Sequence, residues 1–249
     1  MISGLQQLTH LTLKGRQGRV AVEPGALAGK TLLQHLELPE GRIAGGSGGI
    51  AELMHHLQQL QHCTHPNLCD SVRSDTVVSS PAAATFSALT ASSKLQHLDI
   101  SGCQLPAEVW QHVSPVGRQL LHLRELNVSH VHDCQGPATA PEGSRLVSCC
   151  PGLQSLLMQE LQYNAELLAP LSELGSLREL CLCSAKRSPE GLAVVGQLTG
   201  LRRLEMWVPK NDKSVLLLLA QLKHLTHFSD GRHLQLTGGP RSQGVGLQR

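Results

Sequence analysis

Aromatic side chains are almost missing from this sequence: two Phe, two Trp and one Tyr in 249 residues. A core made without them has to rest on Leu, Val and Ala. Charge is sparse as well, at 16% of residues, and nearly balanced, with 21 Lys and Arg against 19 Asp and Glu. A net charge of +2 gives no electrostatic footprint for nucleic acid. No long apolar run is present, and the strongest, residues 215–220, is far short of a bilayer span. The opening Met1-Ile2-Ser3-Gly4-Leu5-Gln6-Gln7 has neither the basic start nor the apolar stretch of a secretory signal. Eight cysteines at this length make no small disulfide framework, so the expectation is free thiols in a cytoplasmic protein. The 41% of hydrophobic residues is a globular share, and 14 histidines stand out against it.

What is abundant is one tetrapeptide with Leu at its ends. It reads LTHL from Leu8, LQHL from Leu33, LQHC from Leu60, LQHL from Leu95 and LREL from Leu123. It continues as LQSL from Leu153, LREL from Leu177, LRRL from Leu201 and LTHF from Leu225. Successive starts differ by 25, 27, 35, 28, 30, 24, 24 and 24 residues. The fullest copy, Leu95-x-x-Leu98-x-Ile100-x-x-Cys103-x-Leu105, fits L-x-x-L-x-L-x-x-N/C-x-L at every defined place. Within each copy the apolar fourth and sixth places alternate with mostly polar residues, which is strand periodicity. The stretches between, such as residues 50–57, 165–174, 191–198 and 215–222, carry helix-spaced apolar positions.

These residues resemble the leucine-rich repeat family, in the superfamily of ribonuclease inhibitor, over roughly Leu5 to Leu236. The resemblance implies an α/β solenoid, a horseshoe with a concave parallel sheet of about nine strands and helices on the convex side. No single repeat buries both its strand and its helix, so the stacked array is the folding unit. Residues 1–236 form the expected repeat domain and residues 237–249 an expected disordered tail. Cys149-Cys150-Pro151-Gly152-Leu153-Gln154-Ser155-Leu156, together with Cys103, is similar to the cysteine-containing repeats of F-box substrate receptors, although the sequence holds no F-box. The inward Asn or Cys place is otherwise filled by Arg16, Gly41, Leu68, Val131, Leu161, Ala185, Pro209 and His233, which predicts irregular connections. Inserts are expected at residues 70–94 and 135–143, and a flexible joint at Gly45-Gly46-Ser47-Gly48-Gly49. The first repeat has no polar cap before it, which predicts either a covering partner or a longer product.

Motifs for catalysis or ligand chemistry are weak. Gly45-x-Ser47-x-Gly49 has the letters of a nucleophile elbow, but its filler residues are glycine too. Gly25 to Thr31 resembles a phosphate loop with one residue too few between its glycines. His62-Cys63-Thr64-His65 with Cys69, and His130-x-His132-x-Cys134, offer metal-ligand types without paired Cys-x-x-Cys spacing. Cys181-Leu182-Cys183 puts two thiols on one strand face, either as ordinary surface residues or as reactive or metal-binding ones. A hydrolase or thiol enzyme would need Ser47 or Cys181 as its nucleophile. The expectation is a non-enzyme with no metal and no cofactor.

If the first, fourth and sixth places point inward, the third, fifth and seventh face the concavity. The third then reads His10, His35, His62, His97, Glu125, Ser155, Glu179, Arg203, His227, and the fifth includes Glu37, Asp99, Cys181 and Glu205. In-register strands would stack these into columns: a histidine ladder, then a mixed-charge half with an exposed Trp207. Such columns are a solvated polar stripe, a protein-docking face or, for the histidines, a metal-bridged column, and Arg203, Glu205 and Trp207 have the character of interface anchors. The expected binding set is His10, His35, His62, His97, Asp99, Glu125, Glu179, Arg203, Glu205 and Trp207. The expected partner is a protein, not nucleic acid, a membrane or a small-molecule substrate. The resemblance extends to two narrower roles: substrate recognition in a ubiquitin ligase, and a scaffold on the cytoskeleton or ciliary axoneme.

Overall fold

A computed structural model describes residues 5–13, 21–72, 82–106, 108–133, 136–137, 147–159, 168–183, 189–208 and 213–231. Nine strands form one parallel sheet in chain order. They are β1 (His10–Thr12), β2 (His35–Glu37), β3 (His65–Asn67), β4 (His97–Asp99) and β5 (Glu125–Asn127). They continue with β6 (Ser155–Leu157), β7 (Glu179–Leu182), β8 (Arg203–Met206) and β9 (His227–Asp230). The repeat is thus a strand that cannot hide both its faces alone and stacks on the next copy.

Register explains the leucine spacing. Leu11 pairs with Leu36, Leu98 with Leu126, Leu126 with Leu156, Leu156 with Leu180, and Leu180 with Leu204. The first, fourth and sixth places interdigitate beneath the sheet: Leu33, Leu36 and Leu38 are fully buried, as are Leu201, Leu204 and Met206. A single apolar cluster runs from Leu11 to Leu222. Leu8, Leu13, Leu225 and Phe228 lie in or beside the edge strands and are only partly buried, because each has a neighbouring strand on one side.

Eight of the nine strands are centred where the repeat predicts, and the third is not. The sequence reading centres it on Cys63, but the register pairs His35 with His65, Leu36 with Pro66 and Glu37 with Asn67. Cys63 is therefore a first-place core residue, and Leu60 follows the helix that precedes it. With 63 as the start, the irregular intervals of 27 and 35 become 63 − 33 = 30 and 95 − 63 = 32. Pro66 hides the motif because it stands where other repeats have Leu. It also lacks the N–H a central strand would donate. Pairing of β3 with β4 is reduced to the one couple Asn67 and Asp99.

The strands end in a shared turn. Asn67, Asp99 and Asn127 in the fifth place each accept the backbone N–H two residues on, from Cys69 at 3.0 Å, Ser101 at 2.9 Å and Ser129 at 3.1 Å. Three places after the fifth, Glu40, Asp70, Gly102 and His130 all adopt left-handed φ between 55° and 67°. The chain then dives inward. Cys103 Sγ donates to the Leu68 carbonyl at 3.1 Å, and Ser71 Oγ donates to the Leu38 carbonyl. Once the third repeat is rephased, Ser71 and not Leu68 holds the inward place, so its polar link between repeats survives there.

The other face of the core is covered by α1 (Gly46–Gln59), α2 (Val109–Val113), α3 (Pro189–Gln197) and α4 (Lys213–Gln221). Short 3₁₀ turns at Pro24–Leu27, Ala83–Thr90 and Ala169–Glu173 complete the layer. Helix α1 buries Ile50, Leu53, Met54 and Leu57, a spacing of three and four that puts them on one face. It packs on the 83–90 turn, which packs on α2. The glycine run expected to be a flexible joint is instead the start of α1, with Gly45 left-handed at the N-cap. The predicted insert at 70–94 contains the turn at Ala83–Thr90, and the rest of its centre lies outside the described residues. Most of the 135–143 insert and all of the 237–249 tail also lie outside them.

Candidate functional site

Parallel register turns the odd places of the repeat into columns across the open face of the sheet. The third column is the most ordered. Rings of His10 and His35 stack with centroids 4.3 Å apart and planes 9° from parallel, and His35 and His65 repeat this at 4.3 Å and 15°. His65 and His97 are 5.9 Å apart at 16°. The looser step falls across the strand pair weakened by Pro66. His97 Nδ1 then lies 3.0 Å from Glu125 Oε2, which ends the imidazole column on a carboxylate.

This column corrects the sequence reading at one position. His62 is not in it; His62 lies exposed with its Nδ1 3.1 Å from Lys94 Nζ, and His65 takes the rung. The signal was available in the sequence as Cys63-x-His65-Pro66-x-Leu68, once Pro is allowed in the fourth place.

Threonines orient some of the rings. Thr64 Oγ1 lies 2.7 Å from His65 Nδ1, and Thr226 Oγ1 lies 2.9 Å from His227 Nδ1. Each hydroxyl also donates its single proton to a backbone oxygen, Gln34 O at 3.1 Å and Arg202 O at 3.0 Å. The histidine must then be the donor in the Thr–His bond, so Nδ1 carries the proton and Nε2 keeps a free lone pair in the neutral ring. His35 and His65 are both held below the ordinary pKa of 6.5. Burial is the larger cause, and the positive neighbours each would meet on protonation add to it.

Other predicted residues divide by role. Asp99 accepts from Ser101 N, from Ser101 Oγ at 2.6 Å and from Asn127 Nδ2 at 3.1 Å, so it holds the turn and the next strand. Glu179 accepts from Ser155 Oγ at 3.5 Å. Arg203 is exposed between Glu179 and His227 in register. Trp207, expected to be exposed, is half-buried. Cys181, expected as a surface residue, is buried to 7% exposure.

Cys181, in β7, and Cys183, one residue past its end, flank buried Leu182, and Cys181 pairs in register with Glu205. Their sulfurs are 3.7 Å apart, and Cys183 Sγ is 3.8 Å from Glu205 Oε1. Gln159 Nε2 lies 3.2 Å from Cys181 Sγ. A hydrogen bond from Cys183 lowers the pKa of Cys181, while giving that bond, together with burial and the nearby negative charges, raises that of Cys183. Elsewhere burial pushes Cys63 and Cys69 up to about 11 and Cys103 up to about 12, which keeps those thiols protonated and inert. None of the seven cysteines among the described residues is in a disulfide.

The weaker motifs do not assemble. Lys30 of the phosphate-loop resemblance is fully buried. Ser47 is a helical residue just past the left-handed pair Gly45 and Gly46, not the residue at the turn. Cys63 lies in the core while His62 is turned to Lys94, so that cluster does not converge. The cluster at His130 reaches Cys134, outside the described residues.

The nine parallel strands, the leucine columns beneath them and the helical layer give this chain the fold of a leucine-rich repeat solenoid. The sequence matches no family model and no curated protein. Among solved structures it is similar to the leucine-rich repeat protein LIC12759 of Leptospira interrogans, at 19% identity and a TM-score of 0.41, over 92% of this chain and 62% of that one. It is also similar to TLR13 in the TLR13–ssRNA13 complex, at 16% identity and a TM-score of 0.38, over 93% of this chain and 37% of that one. The chain therefore spans less than two thirds of either. No described helix is long and apolar enough to cross a membrane.

Proposed function

We propose that this chain is a protein-binding module whose contact surface is the open face of the sheet. The observation that carries this reading is the column order itself. Each strand contributes one side chain per column, and a partner meets stacked imidazoles, then Glu125, then Glu179, Arg203 and Trp207, on a rigid support. His65 offers an Nε2 acceptor in its neutral form, and Arg203 offers a fork of donors. Rings fixed by stacking and by threonine lose little freedom on binding, which favours affinity. The role is recognition rather than catalysis, since the nucleophile candidates are a helical serine and a buried thiol.

The test is cross-linking in cells followed by reconstitution with the protein identified. Replacing His35 and His65 with Ala, or Arg203 and Trp207 with Ala, is expected to weaken the reconstituted complex at least tenfold. Lys213→Ala, on α4, is expected to leave it unchanged. A complex that loses affinity with the α4 substitution and keeps it with the sheet-face ones would place recognition on the helical side. The narrower ubiquitin-ligase role rests on the cysteine-containing repeats and predicts that a ligase subunit co-purifies with the chain.

A further inference from the structure

The fifth and seventh columns bring three metal-ligand side chains together at β7 and β8. Among the described residues, Cys181, Cys183 and Glu205 are the group whose donor atoms all lie within 4.8 Å of one another. We propose that these three residues form a zinc site with one coordination position left open.

The spacing supports this. A tetrahedral zinc with Zn–S near 2.3 Å and Zn–O near 2.1 Å holds its sulfurs about 3.8 Å apart and sulfur to oxygen about 3.6 Å. The sulfurs here are 3.7 Å apart and Cys183 Sγ is 3.8 Å from Glu205 Oε1. The ligands lie close along the chain and across the sheet: Cys181 is in β7, Cys183 is one residue past its end, and Glu205 is the in-register neighbour of Cys181 on β8. A disulfide fits less well. Alternate residues of a strand have Cα atoms about 6.6 Å apart with parallel Cβ directions, near the upper limit of what a disulfide spans.

The surroundings are those of a supported site. Gln159 Nε2 lies 3.2 Å from Cys181 Sγ, where it can donate to a ligating thiolate and fix its direction. Gly231 on the far side has no side chain; a Cβ there would stand 2.4 Å from Cys183 Sγ. Cys181 is buried, while Cys183 and Glu205 are half-buried, so the group is reachable from one side. Three protein ligands with a thiolate pair suit zinc, and the fourth position is the place for water or an incoming donor.

The experiment titrates the reduced full chain with zinc against a chromogenic chelator, and with Co²⁺ to read thiolate-to-metal charge-transfer absorption. One ion per chain is expected, with that absorption present. Cys183→Ser and Glu205→Gln should each weaken binding, the cysteine by more than about 100-fold, beyond what an outer-shell change costs. Cys69→Ser and the double change His35→Gln, His65→Gln should leave it intact. Cys181 is buried, so Cys181→Ser is read only if circular dichroism matches the parent; the two half-buried positions decide the matter without it. Zinc binding that survives Cys183→Ser, that disappears with the two histidines, or that lacks the charge-transfer band would overturn the proposal.

Discussion

Gly102 and Gly49 lack side chains for different reasons. Gly102 is left-handed at φ 67°, and a Cβ would stand 2.2 Å from Asp70 Oδ1 of the preceding repeat. Gly49 lies inside α1, where a Cβ would fall 1.6 Å from the Ala44 carbonyl oxygen. Helical Gly→Ala normally stabilises by up to ~1 kcal/mol. At Gly49 the sign should reverse, with Gly49→Ala costing about 1–3 kcal/mol by overpacking, because the obstacle is backbone. Gly102→Ala should cost about 1–2 kcal/mol from the left-handed backbone alone, plus whatever moving Asp70 requires. Urea denaturation of both proteins checks this, and in an Asp70→Ala background only the backbone part of the Gly102 cost should remain. The glycine run before α1 shows why such a site is hard to read from sequence. Gly and Ser in series look like a linker, and only the approach of Ala44 shows that they admit a tight turn into a helix.

At the scale of the strand, the histidine column makes a pH prediction. His35 and His65 bind a proton less readily folded than unfolded. The unfolded chain therefore takes up more protons as the pH falls below about 6.5. Stability is unimpaired above that value and declines as the pH drops through the depressed folded values. Glu37 beside His35 and Glu125 beyond His97 oppose the decline, and His10 and His97 strengthen it. Replacing His35 and His65 with Gln should flatten the stability curve between about pH 7 and 5, as measured by denaturation at several pH values. Parallel curves would show that the stack has no linkage to folding. The ladder was legible because LxHL puts one His per strand on one face. Its third rung was misread because LQHC at Leu60 copies the motif at a helix end, while Pro66 disguises the true strand. The Cys181–Cys183–Glu205 group was half legible: the sequence shows two thiols on one face, but only register brings Glu205 beside them.

Across the whole molecule the array is coupled locally. Leu180 is 1% exposed and sits in register between Leu156 and Leu204. Leu180→Ala should cost about 2–5 kcal/mol. Because each repeat touches only its neighbours, hydrogen exchange should rise first in β6 and β8 and last in β1. Equal loss of protection along all nine strands would mean that the solenoid unfolds as one unit. The fold was legible at this scale because a period of 24 to 32 residues has few solutions, and the leucine columns select one.

The stacked columns also act as a ruler. Their rungs recur every ~4.8 Å, the distance between neighbouring strands. An extended peptide presents a same-side residue every ~6.6 Å, so laid along a column it falls out of step after a single rung. An α-helix advances ~5.4 Å per turn, close enough to match two or three successive rungs before the mismatch accumulates. The four stacked histidines are about that long, so by pitch alone they favour a short helix lying across the strands over an extended segment.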